Sequence, residues 1–135
     1  MAKTSTFACS VITPERAVLE CDATFMAMPA HDGEIGVLVH RAPLVCKLGV
    51  GALRVDSPTG KHRLLIDGGF AQIYEDRVSI LTQEARPADE LNAAAAEQAY
   101  VEARAMKITS DASWSARDRA MRRARVAVAL ARSKR

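Results

Sequence analysis

Apolar and polar residues alternate over short runs in the first two thirds of the chain, and this period of two is typical of β-strands. In the segment 51–56, GALRVD, Leu53 and Val55 can face inward while Arg54 and Asp56 face outward. We predict strands at 7–13, 16–21, 23–28, 34–39, 51–56, 62–68, 70–75 and 77–82, separated by turn signals at 13–15, 31–33, 57–60, 67–69 and 75–76. Many short strands at near-regular spacing favour an antiparallel sandwich or barrel.

The pattern changes at Ala85, where the sequence becomes rich in the helix formers Ala and Glu. Pro87 suits the first turn of a helix, and Asp89 and Glu90 suit its N-terminus. The segment 109–113, TSDAS, contains capping residues that interrupt the helix. The pattern therefore predicts a first helix within 85–108.

A second helix is predicted from about Trp114. Its apolar residues recur at steps of three and four and so share one face, opposite the arginines: Ala116, Ala120, Met121, Ala124, Ala127, Val128 and Ala131. Two Ala-rich helices with a short break between them indicate a helical hairpin. The predicted fold class is thus α+β, with an N-terminal antiparallel β-sandwich domain at 1–86 and a C-terminal antiparallel α-helical hairpin at 87–135.

Charge is distributed unevenly along the chain. Residues 114–135 contain eight Arg and Lys against one Asp, a net charge of +7, which leaves −4 for the other 113 residues because the whole chain carries +3. A basic segment of this kind is either a solvated helix face or a surface for an acidic protein, a nucleic acid or a membrane. Because stacking aromatics are scarce, we rank nucleic acid binding behind the first two interpretations.

Signals for catalysis or metal binding are weak. The sequence has no phosphate-binding glycine loop, no zinc-protease motif and no nucleophile elbow. His31 and His40, with Asp32 and Glu34, are nine residues apart without a repeated ligand spacing, so exposed turn residues are favoured over a metal site. Cys9, Cys21 and Cys46 lack C-x-x-C spacing, which favours buried free thiols in a reducing compartment.

No apolar run is long enough to cross a membrane, so direct insertion is not expected. The first residues carry neither a secretory signal nor an Arg-rich transit pattern. We therefore expect the protein to stay in the compartment where it is made.

Three features, taken together, resemble the epsilon subunit of F-type ATP synthase, the counterpart of the mitochondrial delta subunit. They are the stretch 11–55, with PAHDGEIGVLVHRAPL inside it, the stretch IDGGFAQIYEDRVSILTQEA at 66–85, and the Ala- and Arg-rich hairpin. The resemblance implies a β-sandwich followed by a helical hairpin, in a non-catalytic subunit at the foot of the central stalk. It further implies that the sandwich binds the gamma subunit and the c-ring. The location would be peripheral, at the cytoplasmic face of the bacterial inner membrane.

The resemblance also assigns roles to residues. In the loop that would contact the c-ring lie Asp32, Gly33, Glu34, His40 and Arg41, with Glu34 matching the glutamate of the family motif. Arg41 stands where the family usually has histidine, and His40 precedes it. Gly33 tolerates positive φ, and Asp32 is expected to hydrogen-bond to the local backbone.

The resemblance also implies that the hairpin restrains ATP hydrolysis by switching between a folded position and an extended position that reaches the catalytic head. The alternative is a hairpin that stays packed permanently. The arginines expected to meet acidic segments of the alpha and beta subunits are Arg117, Arg119, Arg122, Arg123 and Arg125. No cofactor is required. Regulatory ATP binding is disfavoured, since Asp89 of the family's ATP motif is retained but Asn92 replaces its arginine. The alternative function is a small β-domain with a basic helix that binds nucleic acid.

Overall fold

A computed structural model of the chain describes residues 5–133, so Lys134 and Arg135 of the basic segment lie outside the described residues. Eight strands precede two helices, which confirms the predicted α+β class. The strands are β1 Phe7–Ile12, β2 Ala17–Ala23, β3 Phe25–Ala30, β4 Gly33–Val37, β5 Leu44–Ser57, β6 Gly60–Tyr74, β7 Arg77–Leu81 and β8 Ala85–Pro87. A 3₁₀ turn at Ala88–Glu90 leads to the helices α1 Ala93–Arg104 and α2 Asp111–Ser133.

The strands form one hydrogen-bonded path in the order β2-β1-β7-β6-β5-β3-β4, with β8 added to β6. Neighbours are antiparallel except for β1 and β7, which run parallel. Strand β6 pairs with β8 through residues 64–66 and with β7 through residues 70–74. The long β5–β6 hairpin therefore connects the part of the sheet beside the helices with the part around β1 and β7.

The turn predicted at 67–69 is wrong, because β6 continues through these residues. Gly68 and Gly69 have φ values of 72° and 106°, so the strand bends without ending. A Cβ atom at Gly69 would lie 2.0 Å from the carbonyl oxygen of Leu81, which excludes any other residue there. Likewise, residues 44–50, which no predicted strand covered, form the first half of β5.

The start of the first helix was also predicted too early. Pro87 ends β8, and the pairing of β8 with β6 keeps residues 85–87 extended. Helix α1 begins at Ala93, where the Oδ1 atom of Asn92 accepts a hydrogen bond from the Ala95 N–H at 3.0 Å. Helix α2 begins at Asp111, three residues before the predicted start.

Two apolar clusters stabilise the fold. The larger one lies between the inner faces of the strands and includes Leu64 and Ile66, while Leu65 points to the other side of β6 and packs against the helices. The smaller cluster contains Leu65, Ala88, Leu91, Ala96, Ala127, Leu130 and Ala131. The predicted helix face needs two corrections: Ala116 is exposed, and Leu130, which was not assigned to it, is buried. The domain division between residues 86 and 87 stays a prediction.

Candidate functional site

Of the five residues predicted to contact the c-ring, Asp32 lies in the β3–β4 turn, Gly33 and Glu34 begin β4, and His40 and Arg41 lie on the β4–β5 connection; all five are exposed. Asp32 and Gly33 are at the β3–β4 turn, which is tied to β5 by a hydrogen bond from the His31 N–H to the Lys47 carbonyl at 2.9 Å. Gly33 has a φ of 155°, a conformation that side-chain-bearing residues rarely adopt. The local hydrogen bond expected of the Asp32 carboxylate is not formed within residues 5–133, so this carboxylate faces solvent.

His40 and Arg41 lie on the β4–β5 connection. His40 has a φ of 63°, and its backbone N–H donates to Oδ1 of Asp76 while its ring Nδ1 lies 2.9 Å from Oδ2 of the same carboxylate. His40 therefore binds Asp76 in the β6–β7 turn and does not form a metal site with His31. In the part of the chain that the structure describes, no three His, Cys, Asp or Glu residues form a group that could hold a metal ion.

An apolar surface lies on the outer side of β5, β6 and β7, which we call the outer apolar face. Its members are Val45, Phe70, Tyr74 and Leu81, each more than half exposed. The register explains their grouping, since Phe70 pairs with Leu81 on one side and with Lys47 on the other, while Val45 pairs with Gln72. This surface was not predicted from the sequence, although Phe70 and Tyr74 alternate with the buried residues Ala71 and Ile73.

Two arginines of α2 bind two carboxylates of the sheet, and we call these four residues the arginine–carboxylate cluster. Arg119 lies 2.8 Å from Asp67, whose side chain is only 15% exposed, and Arg123 lies 3.6 Å from the same carboxylate. Arg123 also forms an ion pair with Glu84. Asp67 comes directly before the bend at Gly68 and Gly69, and this bend leaves room for Arg119 above Gly68. The cluster fastens α2 to the sheet.

The backbone around both carboxylates is held as well. The hydroxyl of Thr82 donates to the carbonyls of Asp67 and Glu84 at 3.3 and 3.1 Å, and the Asp67 N–H donates to the Glu84 carbonyl. Thr82 is itself buried, so the backbone that carries the side chains of Asp67 and Glu84 is held in place. Fixed carboxylates bind guanidinium groups at a lower entropic cost than mobile ones.

The other predicted head-contact arginines also contact groups of this chain. Arg117 donates to the carbonyl of Arg104 at 3.2 Å, and Arg122 lies 3.3 Å from Asp118 one helical turn away. Arg125 lies over the ring of Tyr100, 5.7 Å from its centroid, and its hydrogen bond lowers the pKa of the Tyr100 hydroxyl. The structure thus gives each of these three arginines a different neighbour within the chain.

The two residues of the predicted nucleotide site, Asp89 and Asn92, have different neighbours. Asp89 lines a groove of about 760 Å³ together with the basic side chains of Lys61, Arg63 and Arg132. Asn92 caps α1, so its side-chain oxygen is already occupied. Neither helix is long and apolar enough to cross a membrane, within residues 5–133.

Comparison with known proteins identifies the family. The family model described as the beta-sandwich domain of the ATP synthase delta/epsilon chain matches residues 6–88. The ATP synthase epsilon chain of Rhodopirellula baltica is 43% identical over 117 residues, which cover 87% of this chain and 91% of that protein. The epsilon chain of Syntrophomonas wolfei is 32% identical over 130 residues, covering 96% and 90% of the two chains.

Solved structures agree with this. A chain in the Euglena gracilis mitochondrial ATP synthase OSCP/F1/c-ring structure superposes with a TM-score of 0.77 at 26% identity, covering 87% of this chain and 76% of that one. A chain from the central stalk and c-ring of the Tetrahymena thermophila mitochondrial enzyme shares the fold alone, with a TM-score of 0.73 at 12% identity over 96% and 99% of the chains. The protein therefore belongs to the ATP synthase delta/epsilon chain family and is a non-catalytic subunit of that complex.

Proposed function

We propose that this chain is a rotor subunit of an F-type ATP synthase, which couples the c-ring to the gamma subunit during ion-gradient-driven ATP synthesis. Its C-terminal helices restrain ATP hydrolysis by the catalytic head. The complex places it at the cytoplasmic face of the bacterial inner membrane, as a peripheral subunit. No observation on the described residues favours the nucleic-acid alternative, because Arg119 and Arg123 are neutralised by carboxylates of the same chain.

The outer apolar face is the observation that supports gamma binding best. Two aromatic and two aliphatic side chains are more than half exposed on three adjacent strands. Aromatic residues are enriched in protein interfaces, and grouped exposure of apolar side chains marks a surface that a partner covers. Lys47 and Arg77 border this surface, which supplies the polar rim that interfaces commonly have.

The test of gamma binding is Phe70→Glu. Because Phe70 is 56% exposed, the charge is tolerated in the free chain, but it would be buried against gamma. We expect affinity for gamma, measured by titration calorimetry, to fall at least about 10-fold. Val101→Glu is the matched control, since Val101 is similarly exposed but lies on α1. Equal affinities of the two variants would contradict docking through the outer apolar face.

The exposed loop residues suit contact with the c-ring. Asp32 in the β3–β4 turn and Glu34 at the start of β4 present exposed carboxylates, and Arg41 on the β4–β5 connection presents a fixed positive charge; these segments are anchored to β5 and to the β6–β7 turn. Anchored charged loops can match the polar loops of a partner without a large loss of entropy on binding.

The arginine–carboxylate cluster supports a regulatory role for the hairpin. In the folded arrangement Arg119 and Arg123 are bound to Asp67 and Glu84, and so they are unavailable to acidic segments of the alpha and beta subunits. Release of α2 exchanges these ion pairs for new ones. A net difference of a few kcal/mol between the two positions is enough for a partner to shift the population.

The regulatory role is tested with the cognate catalytic head stripped of its own epsilon subunit. ATP hydrolysis is measured after adding the full chain or a version that ends at Pro87, which keeps β8 intact. We expect both to bind through gamma and only the full chain to slow hydrolysis. If both bind and neither slows hydrolysis, the chain couples the rotor but does not inhibit; if neither binds, the rotor assignment fails.

A further inference from the structure

Two of the three cysteines lie directly opposite each other on neighbouring strands. Cys9 of β1 and Cys21 of β2 are register partners in an antiparallel pair. Residues opposite each other in such a pair have Cα atoms about 4.5 or 5.5 Å apart and side chains on the same face. Disulfides bridge Cα atoms about 4.4–6.8 Å apart, so either kind of pair lies within reach of a bond.

We propose that Cys9 and Cys21 are a redox-modifiable pair, which closes into a cross-strand disulfide in the presence of a low-molecular-weight disulfide such as oxidised glutathione. This goes beyond the rotor function, which uses neither thiol. Both cysteines are free thiols in the structure.

The surroundings of the two thiols decide the order of the steps. Cys9 is only 2% exposed, whereas Cys21 is partly exposed on β2, which is the terminal strand of the sheet. The thiolate of Cys21 therefore attacks oxidised glutathione first, forming a mixed disulfide and releasing one glutathione. The thiolate of Cys9 then attacks the Cys21 sulfur and releases the second glutathione. Two protein thiols are oxidised, and one glutathione disulfide is reduced to two thiols.

The second step is the slow one. Burial raises the pKa of Cys9 to about 12, and burial also raises the pKa of Cys21. Because the thiolate is the attacking species, closure is slow at neutral pH and accelerates as pH rises. Once formed, the bond closes a loop from residue 9 to residue 21 and joins the terminal strand β2 covalently to β1, which stabilises the folded state.

Cys46 provides an internal control. It lies on β5 opposite Ala71, and its thiol contacts the sulfur of Met28 at 3.9 Å. It is not in register with either of the other cysteines. Tryptic cleavage after Lys3, Arg16, Arg41 and Lys47 separates the three thiols onto different peptides, so each possible cross-link has its own mass.

The experiment incubates the purified full chain with oxidised glutathione at pH 8 and follows it by intact mass and peptide mapping. We expect a product lighter by two hydrogen atoms, with peptides 4–16 and 17–41 linked, and full reversal by dithiothreitol. Thermal unfolding of the product should occur at a higher temperature than that of the reduced chain. Cys46→Ser should leave closure unchanged, and Cys21→Ser should abolish it.

A Cys9→Ala variant distinguishes closure from simple adduct formation, since it should accumulate a glutathione adduct on Cys21. The proposal is overturned if the wild-type chain also stops at that adduct, because the strand pair then cannot reach disulfide geometry. A cross-link through Cys46 would equally overturn it, since such a link requires the sheet to unfold.

Discussion

Asn92 shows what a single side chain contributes to the start of a helix. Its oxygen accepts the Ala95 N–H, one of the donors that the first turn of α1 leaves without a backbone partner. Asn is one of the best N-cap residues. Asn92 therefore strengthens the local helix.

Replacing Asn92 by Ala should lower the free energy of unfolding by about 1 kcal/mol, because the cap is lost. The measurement is urea denaturation followed by circular dichroism. Asn92→Asp keeps an acceptor at the cap and serves as the control, with stability close to that of the parent. Equal destabilisation by both substitutions would show that the amide, and not the acceptor oxygen, is what matters.

Cys9 makes stability depend on pH at the alkaline end. Burial raises its pKa to about 12 from an ordinary value of 9.0, so the folded state holds this proton more tightly than the unfolded state does. The associated stability is fully present below pH 9 and is lost as pH rises from 9 towards 12. At pH 10 the loss should be about 1 kcal/mol.

Cys9→Ala should remove that part of the pH dependence, although its stability at pH 7 is lower. The measurement is the difference in unfolding free energy between pH 7 and pH 10 for each protein. Tyr100, whose pKa is lowered by Arg125, contributes with the opposite sign but is present in both chains and cancels. An identical pH dependence in the two proteins would show that Cys9 does not make stability depend on alkaline pH.

At the scale of elements, helix α2 is held by two different kinds of contact. Its alanines pack with Leu65 and Leu91 in the smaller apolar cluster, and its arginines bind Asp67 and Glu84. Alanine buries little area, so this contact is weak per residue and reversible. The ion pairs add to this apolar contact in holding α2 against the sheet.

Asp67→Asn should loosen α2, because one carboxylate that binds both Arg119 and Arg123 is lost. We expect amide hydrogen exchange in α2 to accelerate by about fivefold, equivalent to ~1 kcal/mol, with little change in β1 and β7. Asp118→Asn is the matched control, since it removes the same charge from an exposed pair with Arg122 inside the helix. Equal exchange rates in α2 for the two variants would show that the arginine–carboxylate cluster does not hold α2 against the sheet.

At the scale of the whole molecule, the surfaces proposed for different partners use different residues. The outer apolar face lies on β5, β6 and β7, the charged residues proposed to meet the c-ring lie at the start of β4 and on the connections beside it, and the arginines lie on α2. A rotor subunit that holds the c-ring and gamma at once needs surfaces that share no residue. The two proposed surfaces adjoin at Lys47, whose carbonyl accepts the His31 N–H and which pairs with Phe70.

Glu34→Gln should weaken binding to the isolated c-ring by about fivefold, ~1 kcal/mol, while leaving affinity for gamma unchanged. Surface plasmon resonance with each partner measures the two affinities independently. Glu20→Gln is the control, since Glu20 is an exposed carboxylate on β2, outside the loop. A loss of affinity for both partners would mean that the substitution disturbs the fold and not one contact.

The local sequence pattern predicted burial correctly where burial depends on residues close by in the sequence. The alternation in 51–56 predicted the inward Leu53 and Val55, and the steps of three and four predicted the buried Ala124 and Ala127. The local pattern failed at 67–69 and at Pro87, because pairing with strands distant in sequence overrode the turn and helix signals there. The acceptors of Arg119 and Arg123 were out of reach of such reasoning, since they lie about forty to fifty residues away in sequence.

By itself the sequence determined the class of the fold, the order of strands before helices, and the family, because periodicity and motif spacing are properties of neighbouring residues. Only the tertiary structure decided which side chains meet. It brought Asp67 and Glu84 to one helix, placed Phe70 and Leu81 on one outer surface, and set Cys9 opposite Cys21. These contacts depend on strand register and on the bend at Gly68 and Gly69, which the packing of the whole sheet fixes.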